Sequence, residues 1–284
     1  MNQLFILFQT IVPQHLLSRL VGKLAASEIP WIKNTFIKLF AGHFDVNMQE
    51  AEETDLEAYP SFNAFFTRAL KADARPLDTN GNNLLCPADG AISQIGAIEN
   101  GRIFQAKGQH YTCAELLGDE DIANTFSNGS FATIYLSPRD YHRVHMPIDG
   151  KLVAETYIPG ALFSVNGTTA DNVERLFARN ERLVCHFDTP AGPMALVMVG
   201  AMIVAGIATT WSGQVAPPGK QPRTLNFLQP PEPVELSRGD EMGRFFLGST
   251  VILLFKENAV EWDDSYFAGA ATRMGERLGT LQAG

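Results

Sequence analysis

The chemistry open to this chain starts at Ser249. It stands in Leu247-Gly248-Ser249-Thr250, where three small residues separate the apolar runs Phe245-Phe246-Leu247 and Val251-Ile252-Leu253-Leu254-Phe255. The stretch therefore reads as a buried strand broken at its middle by a tight turn that carries a hydroxyl. Gly248 has no Cβ and leaves the carbonyl just before Ser249 open to close approach. Attack of the Ser249 hydroxyl on that carbonyl is an N-to-O acyl shift: the amide becomes an ester, β-elimination of the ester leaves dehydroalanine, and hydrolysis leaves a pyruvoyl group at the head of a new chain. A protein doing this makes its own cofactor. Taken alone, the tripeptide is better read as a bulge or hairpin in a β-protein.

A serine acting in this way needs a base, and a neutral imidazole works best with a carboxylate behind its far nitrogen. His142 and His145 stand in the segment from Ser137 to Pro147. There Ser137 has the character of an N-cap, Pro138 suits the first helical position, and Asp140 follows three residues after the cap. This pattern predicts a short helical turn with both imidazoles on one face. An extended segment would send them to opposite sides. No nearby Asp, Glu or Cys completes a recognisable zinc set with the pair, so no metal is expected; a structural pair satisfied by its neighbours is the competing reading. Asp89 lies in Pro87-Ala88-Asp89-Gly90, where an Asp before a Gly also suits a plain turn. His15, His43, His110 and His186 have no comparable setting, and spacing alone assigns no roles.

These residues need a frame. After Leu84, short apolar segments alternate with Gly, Pro and Asn turns, the pattern of a predominantly antiparallel β-domain. The apolar run Met194 to Ala208, rich in Val and Ile and interrupted by Gly200 and Gly206, is too short to span a bilayer and reads as buried strand material. Pro217-Pro218 to Pro233 reads as an exposed excursion between strands, and Tyr266 to Leu278 as a closing helix. Ahead of the β-domain, Leu16, Leu17, Leu20, Val21 and Leu24, then Ile32, Phe36 and Ile37, form a helical stripe, with Pro30 marking a second start: two amphipathic helices. Ser61 caps a third, whose Phe62, Phe65, Phe66 and Leu70 share a face. The acidic run from Glu50 to Glu53 is a solvated face; Arg68 and Arg75 are free either to pair with acids or to touch phosphate.

At 284 residues, 45% hydrophobic and 19% charged, the chain can bury a sizeable core. Its net charge of -9 excludes a general nucleic-acid binder. Yet residues 1–42 carry Arg19, Lys23, Lys33 and Lys38 against Glu28, a net +3. A basic, amphipathic start on an acidic protein predicts an anionic lipid surface as partner. Leu4 to Phe8 has no basic residue before it and no small-x-small site after it, so it is not a secretory signal. Gln9, Thr10, Pro13 and Gln14 interrupt it well short of the roughly 20 apolar residues of a spanning helix. Cys86, Cys113 and Cys185 form no Cys-x-x-Cys pair and read as thiols of a reducing compartment, Cys86 being near enough to Asp89 to line a site.

Glu241-Met242-Gly243-Arg244 running into Leu247-Gly248-Ser249-Thr250 resembles the self-processing signature of the phosphatidylserine decarboxylases of the bacterial, membrane-associated type. Phe62 to Pro76, Pro87 to Gly90, Ser137 to Pro147, Pro159 to Asn166 and Val199 to Ile207 are similar to further blocks of that family, in family order. The resemblance implies cleavage between Gly248 and Ser249 into a large subunit, 1–248, and a small one, 249–284, whose pyruvoyl end forms a Schiff base with phosphatidylserine and yields phosphatidylethanolamine and carbon dioxide. It implies that Asp89 orients His145 as the base for Ser249, that His142 returns the proton after decarboxylation, and that Ser164, in the block without a titrating residue, touches the phosphodiester or the carboxylate.

The expectation is thus an α+β protein, with an N-terminal amphipathic helical layer over residues 1–80 and a β-rich catalytic domain over 81–284. It would sit peripherally on the cytoplasmic side of a cell membrane, with a homo-oligomer left open and no nucleic acid or metal as partner. Two rivals remain: a membrane-surface serine hydrolase using Asp89, His145 and Ser249 in an intact chain, and a lipid-binding module without catalysis. A pyruvoyl enzyme for another amine is a nearer variant.

Overall fold

The computed structural model describes residues 2–202, 206–216, 219, 221–228, 233–246 and 249–282. Prolines set the helix starts. Helix α1 (Asn2–Ile11) ends before Pro13, α2 (Gln14–Ala25) follows it, and α3 (Pro30–Phe44) carries Pro30 where a helix has no use for the missing N–H. Helix α4 (Phe62–Phe66) is capped by Ser61, whose Oγ accepts from the Ala64 N–H at 3.2 Å. Phe36 stacks on Phe62 with ring centroids 4.1 Å apart, and Phe40 meets Phe62, Phe65 and Phe66 edge-on. α3 and α4 therefore share an aromatic core of their own, joined by Ala25 from the end of α2. Ile11, Leu16, Leu20, Trp31 and Leu39 are left exposed on these helices. Among the described residues no helix is long and apolar enough to cross a membrane.

The rest is dominated by antiparallel β-structure, so the fold is α+β as expected. Strand Ser249–Phe255 lies inside a nine-stranded sheet, paired along its length with Gly192–Gly200 on one side and Ser130–Leu136 on the other. Beyond these run Arg182–Thr189, Gly150–Ile158 and Arg223–Asn226 at one end and Gly90–Ala97 and Ala271–Thr272 at the other. Alternation along the central strand divides the core. Val251, Leu253 and Phe255 pack with Leu136 and Met198, while Ile252 and Leu254 pack with Val197 and Val199 on the opposite face. A four-stranded sheet, ordered Gly213–Ala216, Gly206–Thr209, Glu241–Phe246 and Arg143–His145, adds Ile207, Met242, Phe245 and Val144 to the first face.

The apolar run from Met194 divides as Gly192–Gly200 and Gly206–Thr209, confirming strand material in the described residues. The proline-rich excursion includes the edge strand Arg223–Asn226; Pro217, Pro218, Pro230 and Pro231 lie outside the described residues. The closing helix is not formed. Instead, Ala271–Thr272 pairs with Gly90–Ala97, and Arg277–Leu281 pairs with Asn83–Leu85 and Val260–Trp262. Gly269 (φ 95) and Gly275 (φ 88) turn the chain in the left-handed region, where a helix cannot continue. All three cysteines are buried and free; the Cys86 thiol donates to Tyr266 Oη at 3.3 Å, and burial pushes it up to about 12.

Candidate active site

Ser249 is fully buried at the head of its strand, directly opposite Gly200 on one neighbour and Leu136 on the other. Gly248, the other half of the expected cleavage site, lies outside the described residues, as does Leu247. The Ser249 hydroxyl faces His142, with Oγ 3.5 Å from Nδ1. His142 Nε2 is 3.0 Å from the Ser137 carbonyl oxygen, which can only accept, so the proton is on Nε2 and the Nδ1 lone pair points at Ser249. Phe66 stacks on the imidazole at 4.0 Å and joins the helical layer to the site. Burial, helped by the positive charge of Arg68 and opposed by the Ser137 bond, holds His142 down to about 3. It is neutral at any ordinary pH.

The turn before His142 forms as the sequence predicts, with Asp140 Oδ2 accepting from Ser137 N at 2.6 Å and Oγ at 2.7 Å. It does not extend into a helix. Arg143–His145 is a strand paired with Glu241–Phe246, because Val144 enters the main core and the extended backbone is fixed by that distant partner. Extended spacing sends the two imidazoles to opposite sides. His145 Nδ1 donates to the Gly239 carbonyl at 2.8 Å, and Nε2 accepts from Tyr141 Oη at 3.0 Å. Burial lowers its pKa, against the Gly239 bond and the nearby carboxylates of Glu241 and Asp89.

Asp89 is not hydrogen-bonded to His145. Arg75 grips it, with Nε 2.9 and 3.0 Å from its two oxygens and Nη2 against Oδ2, and the Met274 N–H adds a bond of 2.9 Å. Arg75 Nη2 also reaches Glu50 at 2.9 Å, so this arginine pairs with acids. Arg68 meets no carboxylate among the described residues; its Nη2 donates to the carbonyls of Arg139 (3.2 Å) and Asp140 (3.5 Å). Both arginines line a cleft of about 270 Å³, with Glu50, Asp89, Asp140 and Tyr141. Asp89 is thus near enough to His145 to act on its charge, but among the described residues no contact joins either of them to Ser249, whose direct contact is His142.

Ser164 lies in a loop fastened from two directions. Its N–H donates to Gln9 Oε1 at 2.7 Å and the Leu162 N–H to Gln14 Oε1 at 2.7 Å, so α1 and α2 hold the loop. Asn180 Nδ2 bridges the carbonyls of Phe163 (2.8 Å) and Gly200 (2.9 Å), tying the loop to the residue opposite Ser249. No hydrogen bond joins Ser164 to Ser249 or His142 among the described residues.

Sequence reasoning missed Glu181. It is 3% exposed, and Tyr157 Oη donates to its Oε2 at 2.8 Å. The signal was present as an acid between the apolar runs Leu176-Phe177-Ala178 and Leu183-Val184-Cys185.

Two family models match this chain. One, described as phosphatidylserine decarboxylase, covers residues 62–280, and one described as PSD covers residues 4–45. The chain belongs to the phosphatidylserine decarboxylase family. It is 56% identical over 283 residues to the phosphatidylserine decarboxylase proenzyme of Ectopseudomonas mendocina, covering 99% of each chain. It is 57% identical over 279 residues to the proenzyme of Pseudomonas putida strain W619 (98% of this chain, 97% of that one), and 55% identical over 280 residues to that of Alcanivorax borkumensis (98% and 96%).

Proposed function

We propose that this chain is a proenzyme that cleaves itself between Gly248 and Ser249 and then converts phosphatidylserine to phosphatidylethanolamine and carbon dioxide. The observation that carries this is Ser249 itself: a buried hydroxyl at the head of a central strand, 3.5 Å from the free lone pair of a neutral imidazole, in a chain of this family. The surroundings fit a pyruvoyl group at residue 249, since Gly200 puts no side chain opposite it and His142 stands beside it. Such a group supplies an electron sink for the departing carboxylate.

The two imidazoles divide the work. His142 has no carboxylate in its hydrogen bonds and a depressed pKa, so it is a weak base and, once protonated, a strong acid suited to returning a proton to carbon. His145 feels the carboxylates of Glu241 and Asp89, which would stabilise its cation, and is our candidate base for the Ser249 hydroxyl. In this structure it is held by Tyr141 and Gly239, and processing would require the serine to be presented to it. Asp89 then stabilises the charge on His145. Ser164 holds the phosphodiester or carboxylate from its loop. The helical layer of residues 1–80 rests on the cytoplasmic face of the membrane through its exposed Leu, Ile and Trp side chains, with the β-rich unit of 81–284 above it.

Intact mass of the purified protein tests this, beside Ser249→Ala and with carbon dioxide release from phosphatidylserine vesicles as second readout. The expected result is fragments 1–248 and 249–284, the smaller reducible by borohydride in the presence of an amine, and a single silent chain in the variant. An active preparation of uncut chain would move the weight to the hydrolase.

A further inference from the structure

Glu181 is placed where a buried acid has little structural use. Its backbone is fixed on both sides, by its N–H to the Ala161 carbonyl at 2.8 Å and by its own carbonyl accepting from Gly200 N–H at 2.8 Å. Its Oε2 takes the Tyr157 hydroxyl, and no described residue donates to Oε1. The Tyr157 hydroxyl has an alternative acceptor, the Gly219 carbonyl at 3.2 Å, so it can follow a change of charge on the carboxyl without being left unpaired.

Gly200 shows what Oε1 faces. A Cβ built there would stand 4.0 Å from Glu181 Oε1 and 3.3 Å from the Glu181 carbonyl oxygen. Gly200 and Ser249 are direct partners in an antiparallel pair, and side chains so paired project to one face with Cβ atoms about 5 Å apart. The missing side chain of Gly200 is therefore an opening with residue 249 on one side and a free carboxyl oxygen on the other. Leu162 Cδ2, 3.7 Å from the same Cβ position, bounds it on a further side, so the room beside Gly200 is that of a single small group such as an amine.

We propose that Glu181 is the residue that receives the amino group of the substrate beside residue 249 and takes a proton from it. This deepens the decarboxylase reading and rests on it. The substrate arrives as a primary ammonium. One N–H bond breaks, Oε1–H forms, the carboxylate becomes a neutral carboxylic acid, and nitrogen keeps the electron pair it needs to bond to carbon. Burial raises the pKa of Glu181, against the Tyr157 bond and the nearby imidazole of His15, and so strengthens its carboxylate as a base. The same contact sets specificity, because a headgroup ending in hydroxyls offers Oε1 no cation.

The test is noncovalent binding of glycerophosphoserine and glycerophosphoglycerol, by calorimetry, to the Ser249→Ala chain and to processed protein whose carbonyl has been reduced with borohydride. Both proteins are expected to prefer glycerophosphoserine by about tenfold or more. Adding Glu181→Gln, which keeps the shape and an acceptor for Tyr157, should abolish the preference. So should Gly200→Ala, which fills the opening without touching the carboxyl. A preference that survives Glu181→Gln, equal weakening of both probes, or no preference at the outset overturns the proposal. The Ser249→Ala arm needs no carbonyl, so a wild-type chain that never processes counts against the decarboxylase reading and not against this contact.

Discussion

His142 turns its unprotonated nitrogen toward Ser249 at 3.5 Å while its protonated one is held by the Ser137 carbonyl. A carbonyl behind an imidazole fixes its tautomer but does not stabilise its cation as a carboxylate would. The nearest imidazole to the serine is thus the poorer base.

This separates the two histidines experimentally. His145→Ala is expected to remain one chain. His142→Ala is expected to cut itself into 1–248 and 249–284 and to release carbon dioxide about 10²- to 10⁴-fold more slowly. Intact mass and carbon dioxide release together decide it. An uncut His142→Ala beside a cut His145→Ala reverses the roles.

Arg75 forms a nearly buried pair with Asp89 and reaches out to the partly exposed Glu50. Arg75→Met removes the cation and leaves Asp89 with the Met274 N–H as its remaining hydrogen bond among the described residues. Breaking a buried pair from one side costs about 3 kcal/mol. A fall of that order in the unfolding free energy, read from urea melts, is expected, with slower processing because Asp89 is no longer held near His145. Arg75→Lys should recover part of the stability, since it restores the charge without the fork.

His142 also makes stability depend on pH. Its folded pKa of about 3 lies below the ordinary value of about 6.5, so between them the unfolded chain binds a proton that the folded chain does not. Stability is therefore lost as pH falls through that window, by up to about 1.4 kcal/mol per unit. Burial lowers His145 and His186 in the same direction. Urea melts of Ser249→Ala across this range should show the slope, and adding His142→Gln should reduce it.

Trp31 is 73% exposed on α3 and the other two tryptophans, Trp211 and Trp262, are partly buried. Anionic vesicles are expected to shift the Trp31 emission to the blue, and Trp31→Phe to remove the shift. Leu20→Ser should weaken vesicle binding by about tenfold, the transfer value of one leucine. Unchanged binding in both variants would place the membrane face elsewhere.

Helices α2, α3 and α4 were legible because their signals are local: a periodic stripe, two prolines and a capping serine; α1, whose apolar run Leu4 to Phe8 shows no stripe, was not expected. The apolar runs on either side of Gly248-Ser249 were equally plain, but that they are strands of two different sheets was not, since each is placed by partners far away in the chain. The course of His142 and His145 was not, because the turn grammar of Ser137 to Asp140 is local while Glu241–Phe246, which draws Arg143–His145 into a strand, lies far away in the chain. The same distance hid Gln9 and Gln14 on the Ser164 loop. The helix expected over Tyr266 to Leu278 does not form because Gly269 and Gly275, both at positive φ, break the run of helix formers between them. Asp89 was found by motif, but its grip by Arg75 depended on a pairing that sequence left open.

Ser249–Phe255 is bonded to a neighbour along both edges. A cut at its head would therefore loosen nothing: the small fragment would stay as the spine of the large one, and separating them would mean dismantling the sheet. The uncut chain can refold because strand and sheet are one molecule. Two pieces must find each other again, against the lost freedom of two bodies. Processing would thus convert a protein that folds into one that has folded, whose survival is a matter of how slowly it opens and no longer of how readily it returns.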